Sequence, residues 1–434
     1  MKMLHTFKDI LSDVFLRRHF FQTNIFSGTT YWSEVLQALR DITKKGTSDG
    51  PDISTYEENF AKIIGVKECF SFSAGRMALY AILKTLGIGE GDEVIIPAFT
   101  CVVVPNAIIY TGARPVYCDI EAGRFGPDPE SVKSKITSKT KAIIVQHTFG
   151  IPCYIEEIMS TANHFGIPVI EDCAHTLGAS YNGKVLGSIG YASFFSTDHS
   201  KIISTSIGGV AASNNDTCIE KLRKIYEDSD FLTLNQIKKQ IFSFSLFHFL
   251  SHHRLYWIGK YIFAFFFKVK MIMYITDYLS LIKPKKYPFP ARLSNVHAKI
   301  GISQLKHLSE NIAHRRKMAR KFENVLGTNE AIFKNKNMEC DWLRYPFLVE
   351  NRDEFIHSFQ KYHSLGIWFT EIAQCRYEDF NEIGYENGSC PKAEWTTKRI
   401  VSIPTHFRMV HLDILIAEML KLKAISPGLY YYKK

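Results

Sequence analysis

The 434-residue sequence lacks several features that would define other protein classes. It has no run of 18 uncharged apolar residues, which argues against a membrane-spanning helix. Its nine cysteines form no CxxC pair and show no metal-ligand spacing, so we expect reduced thiols rather than a disulfide framework or a metal site. Residues 1–28 lack the apolar core of a signal peptide. These absences favour a cytoplasmic protein without a metal.

The composition is that of a globular chain with a sizeable core. Apolar residues make up 46% and charged residues 22% of the sequence. The formal net charge of +10 favours anionic partners, which include phosphorylated small molecules, nucleic acid and an anionic membrane surface. No basic stripe with interleaved aromatics and no known nucleic-acid-binding motif is present, so we expect no nucleic-acid partner.

Strand and helix patterns alternate through the first half of the chain. Strands are predicted at 92–99, 114–120, 142–147, 168–172 and 192–196, and helices at 75–87, 102–110, 128–135 and 153–165. This order predicts an α/β fold with a mostly parallel sheet and helices on both faces. Ligands of such sheets bind outside the carboxyl ends of the strands, where Thr100, Asp172 and Ser196 fall.

Two residues near these strand ends suit one cofactor. The run Val-Ile-Glu-Asp-Cys-Ala-His places Asp172 after a buried strand, 29 positions before Lys201. Pyridoxal phosphate (PLP) chemistry requires at least two residues: an Asp that keeps the pyridine nitrogen protonated and a Lys that forms a Schiff base. The alternatives are that Asp172 caps a helix and that Lys201 is a solvated surface lysine.

A change of composition near residue 240 separates the two halves. Residues 241–275 are unusually aromatic and are interrupted by histidines, Arg254 and lysines. Two interpretations remain open: a helical insertion packed against the core or across a dimer interface, or an amphipathic element on an anionic inner membrane. A long helix at about 293–325, strands at 343–350 and 400–404 and helices at 352–362 and 411–422 follow.

We therefore predict four regions. They are an N-terminal arm with helices (1–55), a large PLP-binding domain (56–240), an aromatic-rich helical insertion (241–290), and a long helix with a small C-terminal α+β domain (291–434).

Ordered motifs from about residue 56 to the C-terminus carry a family resemblance. They include SAGRMAL at 73–79, GEGDEVIIP at 89–97, GARPV at 112–116, EDCAH at 171–175, GSIG at 187–190 and SNVHA at 294–298. In this order they resemble the DegT/DnrJ/StrS sugar aminotransferases, PLP enzymes of fold type I.

The resemblance implies roles for residues at matching positions. Lys201 matches the lysine that bonds to the cofactor and then moves a proton between cofactor and substrate. Asp172 matches the partner of the pyridine nitrogen, and Ser196 a ligand of the cofactor phosphate. His175 matches the residue against one face of the ring, although a core histidine is the alternative.

Five further residues lie either at the expected phosphate site or where the sequence is compared with less regular parts of the family pattern. Gly75 and Arg76 open a helix whose free N–H groups suit a phosphate. Arg76 stands where the family often has Thr, and it either pairs with the phosphate or is a solvated helix-start arginine. The family often stacks an aromatic on the ring where this chain has Cys101, and Phe99 is the candidate replacement. Arg292 stands near the family's partner-contacting stretch and is expected to reach the phosphate of the other subunit.

The resemblance implies a PLP-dependent aminotransferase that acts as a homodimer. Its expected donor is glutamate and its expected acceptor a nucleotide-linked keto-sugar, for surface polysaccharide, lipopolysaccharide or related glycan synthesis. Two alternatives share the fold. A PLP-dependent sugar dehydratase would have His in place of Lys201, and an inactive regulatory protein would tolerate loss of Asp172 or Lys201.

Overall fold

A computed structural model describes residues 28–121, 123–269, 271–273, 282–328, 330–359, 368–374, 383–410 and 412–425. About half of the predicted N-terminal arm, residues 1–27, lies outside the described residues, as does the end of the predicted helix at 352–362. The eight cysteines within the described residues are free thiols. Among the described helices, none is both long enough and apolar enough to cross a bilayer.

Nine strands form the sheets of the first half. They are β1 (Glu68–Phe72), β2 (Glu93–Pro97), β3 (Arg114–Cys118), β4 (Thr140–Gln146), β5 (Val169–Asp172), β6 (Ser180–Tyr181), β7 (Lys184–Val185), β8 (Ala192–Ser196) and β9 (Gly209–Ser213). Seven of them make one sheet in the order β1-β9-β8-β5-β4-β2-β3. β9 runs antiparallel to both of its neighbours, and every other pairing is parallel. The predicted mostly parallel sheet is confirmed.

Helices accompany these strands along the chain, and several of them pack on the sheet. They are α1 (Trp32–Asp41), α2 (Asp52–Ile64), α3 (Gly75–Thr85), α4 (Val103–Ile109), α5 (Pro129–Ser134), α6 (Ile155–Phe165) and α7 (Asp216–Glu227). Because both faces are covered, the central strands are buried along their whole length, as the residues of β2 show. Helix α3 contributes a stripe of buried side chains, including Met77, Ala78 and Ile82, against β8 and β9.

The aromatic segment forms two helices, α8 (Leu234–Leu250) and α9 (Tyr256–Lys268). The start of α8 is fixed by a capping box, in which Thr233 and Gln236 exchange side-chain to backbone hydrogen bonds. Near its end, Arg408 donates hydrogen bonds to the His248 carbonyl and to Thr30, so α8 is tied to both ends of the chain.

The remaining elements form the C-terminal part. They are α10 (Asn295–Lys306), α11 (Leu308–Leu326), α12 (Glu330–Lys334), β10 (Met338–Glu339), β11 (Arg344–Leu348), α13 (Arg352–Phe359), α14 (Pro391–Thr397), β12 (Ile400–Pro404) and α15 (Leu412–Ile425). Strands β11 and β12 pair antiparallel, while β10 joins β6 and β7 in a three-stranded sheet.

The prediction of one long helix at 293–325 is wrong, because the chain leaves helical geometry at His307, with φ −99° and ψ 5°. The two halves pack in different places: α10 packs on α2, whereas α11 packs on β11 and α15. A straight helix would not satisfy both contacts.

Candidate active site

Adjacent parallel strands bring the predicted cofactor residues to one edge of the sheet. Asp172 ends β5 and pairs in register with Gln146 of β4 and Phe194 of β8. Ser196 ends β8, and the loop that follows it carries Lys201. The carboxyl ends of these strands are where an α/β sheet binds its ligands.

Lys201 is buried, with 7% of its surface exposed, so it is not the solvated surface lysine of the alternative. Its Nζ lies 5.7 Å from the centre of the Trp368 ring. Although burial disfavours a charged Asp198, the Lys201 charge and two 2.7 Å hydrogen bonds from Ser200 hold the pKa of this carboxyl below its usual value. Lys201 is therefore a buried cation that interacts with the negative charge of Asp198.

Asp172 is 4% exposed and accepts a 2.9 Å hydrogen bond from the Ala174 N–H. Burial raises the pKa of Asp172 to about 6, while this hydrogen bond and the charges of Lys201 and His147 act in the opposite direction. A second cation, such as a protonated pyridine nitrogen, would favour the ionised carboxylate further. The Asp172 carboxylate therefore fits the ring-nitrogen end of PLP.

The start of α3 packs directly against the ends of β8 and β9. A Cβ on Gly75 would lie 3.1 Å from the Ser196 Cβ, and a Cβ on Gly209 only 2.3 Å from the Gly75 nitrogen. Ala74, at the N-cap, offers no side-chain hydrogen bond to the helix. The uncapped N–H groups at the start of α3 thus lie beside Ser196 and Gly209, and a helix start of this kind suits a phosphate.

Arg76 lies next to this helix start and is 7% exposed, so it is not a solvated helix-start arginine. Its Nη2 donates a 3.3 Å hydrogen bond to the Tyr287 hydroxyl. Its predicted pairing with the cofactor phosphate stays a prediction.

His175 is 6% exposed and lies in an aromatic stack. Its ring is nearly parallel to those of Phe149 and Phe369, with centroids 6.0 and 5.9 Å away. Its Nδ1 accepts a hydrogen bond from the Phe149 N–H. Burial, together with the Lys201 and Arg344 charges, lowers the pKa of His175 well below its usual value, so the ring is neutral. A neutral stacked imidazole suits both the ring-facing role and the alternative of a core histidine.

Phe99 is fully buried, and β2 ends before it, at Pro97. Its ring meets Phe369 edge-on at 5.1 Å and also contacts Phe149. Both of these phenylalanines stack on His175. Phe99 therefore supports the His175 stack, and its predicted contact with the cofactor ring stays a prediction.

Arg292 contacts aromatic residues of its own chain. Its Cζ lies 4.2 Å over the Phe231 ring and 4.9 Å over Tyr226, and its Nη2 is 3.6 Å from an Asp49 carboxylate oxygen. The predicted reach to the phosphate of another subunit stays a prediction.

Sequence reasoning missed Arg344 and Trp368. Arg344, the first residue of β11, is 3% exposed, and its Cζ lies 4.8 Å from the centre of the Trp368 ring. Burial lowers the pKa of Arg344 to about 10, against the favourable charge of Asp198, so the guanidinium is protonated at neutral pH. The buried guanidinium of Arg344 and the amine of Lys201 thus lie near the same Trp368 ring.

Glu171, the residue before Asp172, forms hydrogen bonds to a neighbouring loop. Its carboxylate accepts hydrogen bonds from the N–H groups of Gly187, Ile189 and Gly190 at 2.7–2.8 Å. It also lies 3.2 Å from His147 Nε2. Glu171 therefore fixes the GSIG loop beside β5, which positions Asp172 indirectly.

Comparison with known proteins identifies the family. The model of the DegT/DnrJ/EryC1/StrS aminotransferase family matches residues 31–244 and 275–419. The spore coat polysaccharide biosynthesis protein SpsC of Bacillus subtilis is 25% identical over 393 residues, which cover 88% of this chain and 92% of SpsC. GDP-perosamine synthase of Vibrio cholerae is 38% identical over 189 residues, 43% of this chain and about half (52%) of that enzyme's length.

Solved structures share the fold. The aminotransferase of Psychrobacter cryohalolentis superposes with a TM-score of 0.71 at 21% identity, over 91% of this chain and 97% of that one. DesV of S. venezuelae, solved with a ketimine intermediate, gives 0.69 at 20% identity, over 90% and 94%. A Streptococcus pneumoniae chain in its PLP form gives 0.72 at 19% identity, over 94% and 99%. Fold type I is confirmed, and the chain belongs to the DegT/DnrJ/EryC1/StrS family of PLP-dependent aminotransferases.

Proposed function

We propose that this aminotransferase moves an amino group from glutamate to a keto-sugar carried on a nucleotide diphosphate, for the synthesis of a surface polysaccharide, a lipopolysaccharide or a related glycan. Support comes from relatives named for GDP-perosamine and for spore coat polysaccharide synthesis. The net charge of +10 favours an acceptor that carries a diphosphate.

The observation that carries the proposal is the buried pair of Lys201 and Asp172. When bound, PLP supplies an electron sink for the carbon that loses or gains a proton. Lys201 is the residue that moves this proton, and its burial excludes bulk water from the transfer. Asp172 holds the ring nitrogen in its charged form.

Arg344 supports an amino acid as the donor. A protonated guanidinium that is 3% exposed and shares the Trp368 ring with Lys201 suits a carboxylate, because charged hydrogen bonds strengthen away from water. Glutamate would place its α-carboxylate against Arg344 and its amino group toward Lys201. An amine donor that lacks a carboxylate would have no group to pair with the Arg344 guanidinium.

The two alternatives are disfavoured by the residues present. A sugar dehydratase of this fold would have His at position 201, and an inactive regulatory protein would have no need of Lys201 or of a buried Asp172. We further propose a cytoplasmic homodimer, in which Arg292 contributes to the other subunit's site.

The test is a two-stage experiment. The purified enzyme is loaded with pyridoxamine phosphate, and keto-sugar nucleotides are added until the visible band of the lysine-bound cofactor returns. Return of the band with one sugar identifies the acceptor, and Lys201→Ala is the matched control. An enzyme that stays colourless with PLP would contradict the proposal.

A further inference from the structure

Helix α9 has the composition of a buried helix, yet all of its described side chains are partly or largely exposed. Ten of its thirteen residues are aromatic or aliphatic, and among those whose burial is described the only buried one is Gly259, which has no side chain. A helix that is apolar on all sides usually lies in a core or in a membrane. The described residues therefore leave much of the surface of α9 uncovered.

One side of α9 packs on α8. A Cβ on Gly259 would lie 2.5 Å from the Leu250 carbonyl oxygen, which shows how closely the two backbones approach. Phe263 meets Phe247 and Phe266 meets Phe242, with ring centroids 6.1 and 5.7 Å apart. These contacts hold α9 in place but use only one of its faces.

An adjacent side of α9 points outward. Ile258, Phe265 and Val269 follow one another at spacings of seven and four residues and so lie on one face. They are 37%, 59% and 44% exposed. Lys268 and Met271, beside this ridge, are also exposed. We call Ile258, Phe265 and Val269 the α9 ridge.

The segment that carries the ridge has charged residues of one sign. Residues 231–276 contain no Asp or Glu but six Lys and Arg residues. Among these, Lys238, Arg254 and Lys268 are exposed. Basic side chains that flank exposed aromatic and aliphatic ones are typical of elements that lie in the interface of an anionic bilayer. A second copy docked on this face by two-fold symmetry would bring like charges together.

The segment is also separate from what the family shares. The family match stops at residue 244 and resumes at 275, so α9 lies wholly outside it. The common reaction of the family therefore gives no reason for this exposed apolar surface.

We propose that the α9 ridge docks the enzyme on an anionic lipid surface. Ile258, Phe265 and Val269 enter the boundary between headgroups and acyl chains, and Lys268 and its basic neighbours meet the lipid phosphates. The helix lies on the membrane and does not span it.

The test is sedimentation with vesicles. The enzyme should bind vesicles of phosphatidylcholine mixed with phosphatidylglycerol, bind less to phosphatidylcholine alone, and be released by salt. The double substitution Ile258→Asp and Phe265→Asp should weaken partitioning by roughly tenfold or more. Phe165→Asp is the matched control, because Phe165 is 49% exposed on α6, and it should bind like the wild type.

Two further measurements separate this proposal from the catalytic one. The double variant should retain its circular dichroism spectrum and its amination of a soluble sugar nucleotide, because neither residue belongs to the active site. Wild-type enzyme that binds neither vesicle overturns the proposal. So does a double variant that binds lipid normally but loses its dimer in light scattering, which would assign the ridge to contact between copies.

Discussion

Arg344 and Lys201 lie over the same indole, with Arg344 Cζ 4.8 Å and Lys201 Nζ 5.7 Å from the centre of the Trp368 ring. Asp198 interacts electrostatically with both cations. The C-terminal strand β11 thus supplies a fixed positive charge to a pocket built by the large sheet. This relationship is the basis of the proposed donor site.

Replacing Arg344 by Gln should raise KM for glutamate and lower kcat/KM of the donor half-reaction by about 10- to 100-fold, since a charged hydrogen bond contributes about 1.5–3 kcal/mol. The half-reaction with the keto-sugar, measured on the pyridoxamine phosphate form, should change far less. Stopped-flow absorbance of each half-reaction measures both effects.

A matched control for Arg344 is Arg316→Gln on α11. Arg316 is partly exposed and donates hydrogen bonds to the Cys340 carbonyl and the Glu339 carboxylate. This variant should keep both half-reactions. Equal loss in the two half-reactions of Arg344→Gln would argue for a structural role and against a carboxylate site.

Lys201→Ala should abolish the visible band of the bound cofactor and lower kcat by several orders of magnitude, because it removes both the covalent bond and the proton carrier. Lys201→Arg keeps the positive charge beside Asp172 and Asp198 but cannot form the bond, so it should be equally inactive. Activity that survives either substitution would place the chemistry elsewhere. Absorbance spectra and single-turnover assays decide between these outcomes.

Much of this site could be predicted because its parts are local in sequence. Asp172 and Ser196 end strands, Gly75 begins a helix, and the boundaries of β8 and β12 were predicted to the residue. Arg344 and Trp368 could not be predicted, since their approach to Lys201 depends on how the C-terminal sheet docks on the large one. The antiparallel strand β9 was also missed, because GVAAS is short and has no alternation of apolar and polar residues.

Asp172→Asn should stabilise the apoenzyme at neutral pH. Burial raises the pKa of Asp172 from 3.8 to about 6, so native protein holds a proton between these pH values that the unfolded chain releases. The contribution of Asp172 to stability is complete below pH 3.8 and is lost as pH rises through about 6. The variant should therefore gain roughly 2–3 kcal/mol over wild type between pH 4 and pH 7.

Urea unfolding of both apoproteins across this range measures the difference, and a gap that does not depend on pH would refute the assignment. The holoenzyme should show the opposite preference. A protonated pyridine nitrogen stabilises the charged carboxylate, so Asp172→Asn should weaken PLP binding and lower activity even though it stabilises the apoprotein.

Gly209→Ala tests the phosphate end. The new Cβ would lie 2.3 Å from the Gly75 nitrogen and 2.5 Å from the Ala74 carbonyl carbon, so the start of α3 must move. We expect a loss of about 1–3 kcal/mol in unfolding free energy and weaker binding of PLP. Gly89→Ala is the control, because its Cβ would meet no atom closer than 3.8 Å.

Binding of pyridoxal, which lacks the phosphate, separates two explanations. If the helix start binds the phosphate, Gly209→Ala reduces the preference for PLP over pyridoxal, whereas equal weakening of both would show that the glycine only maintains the fold.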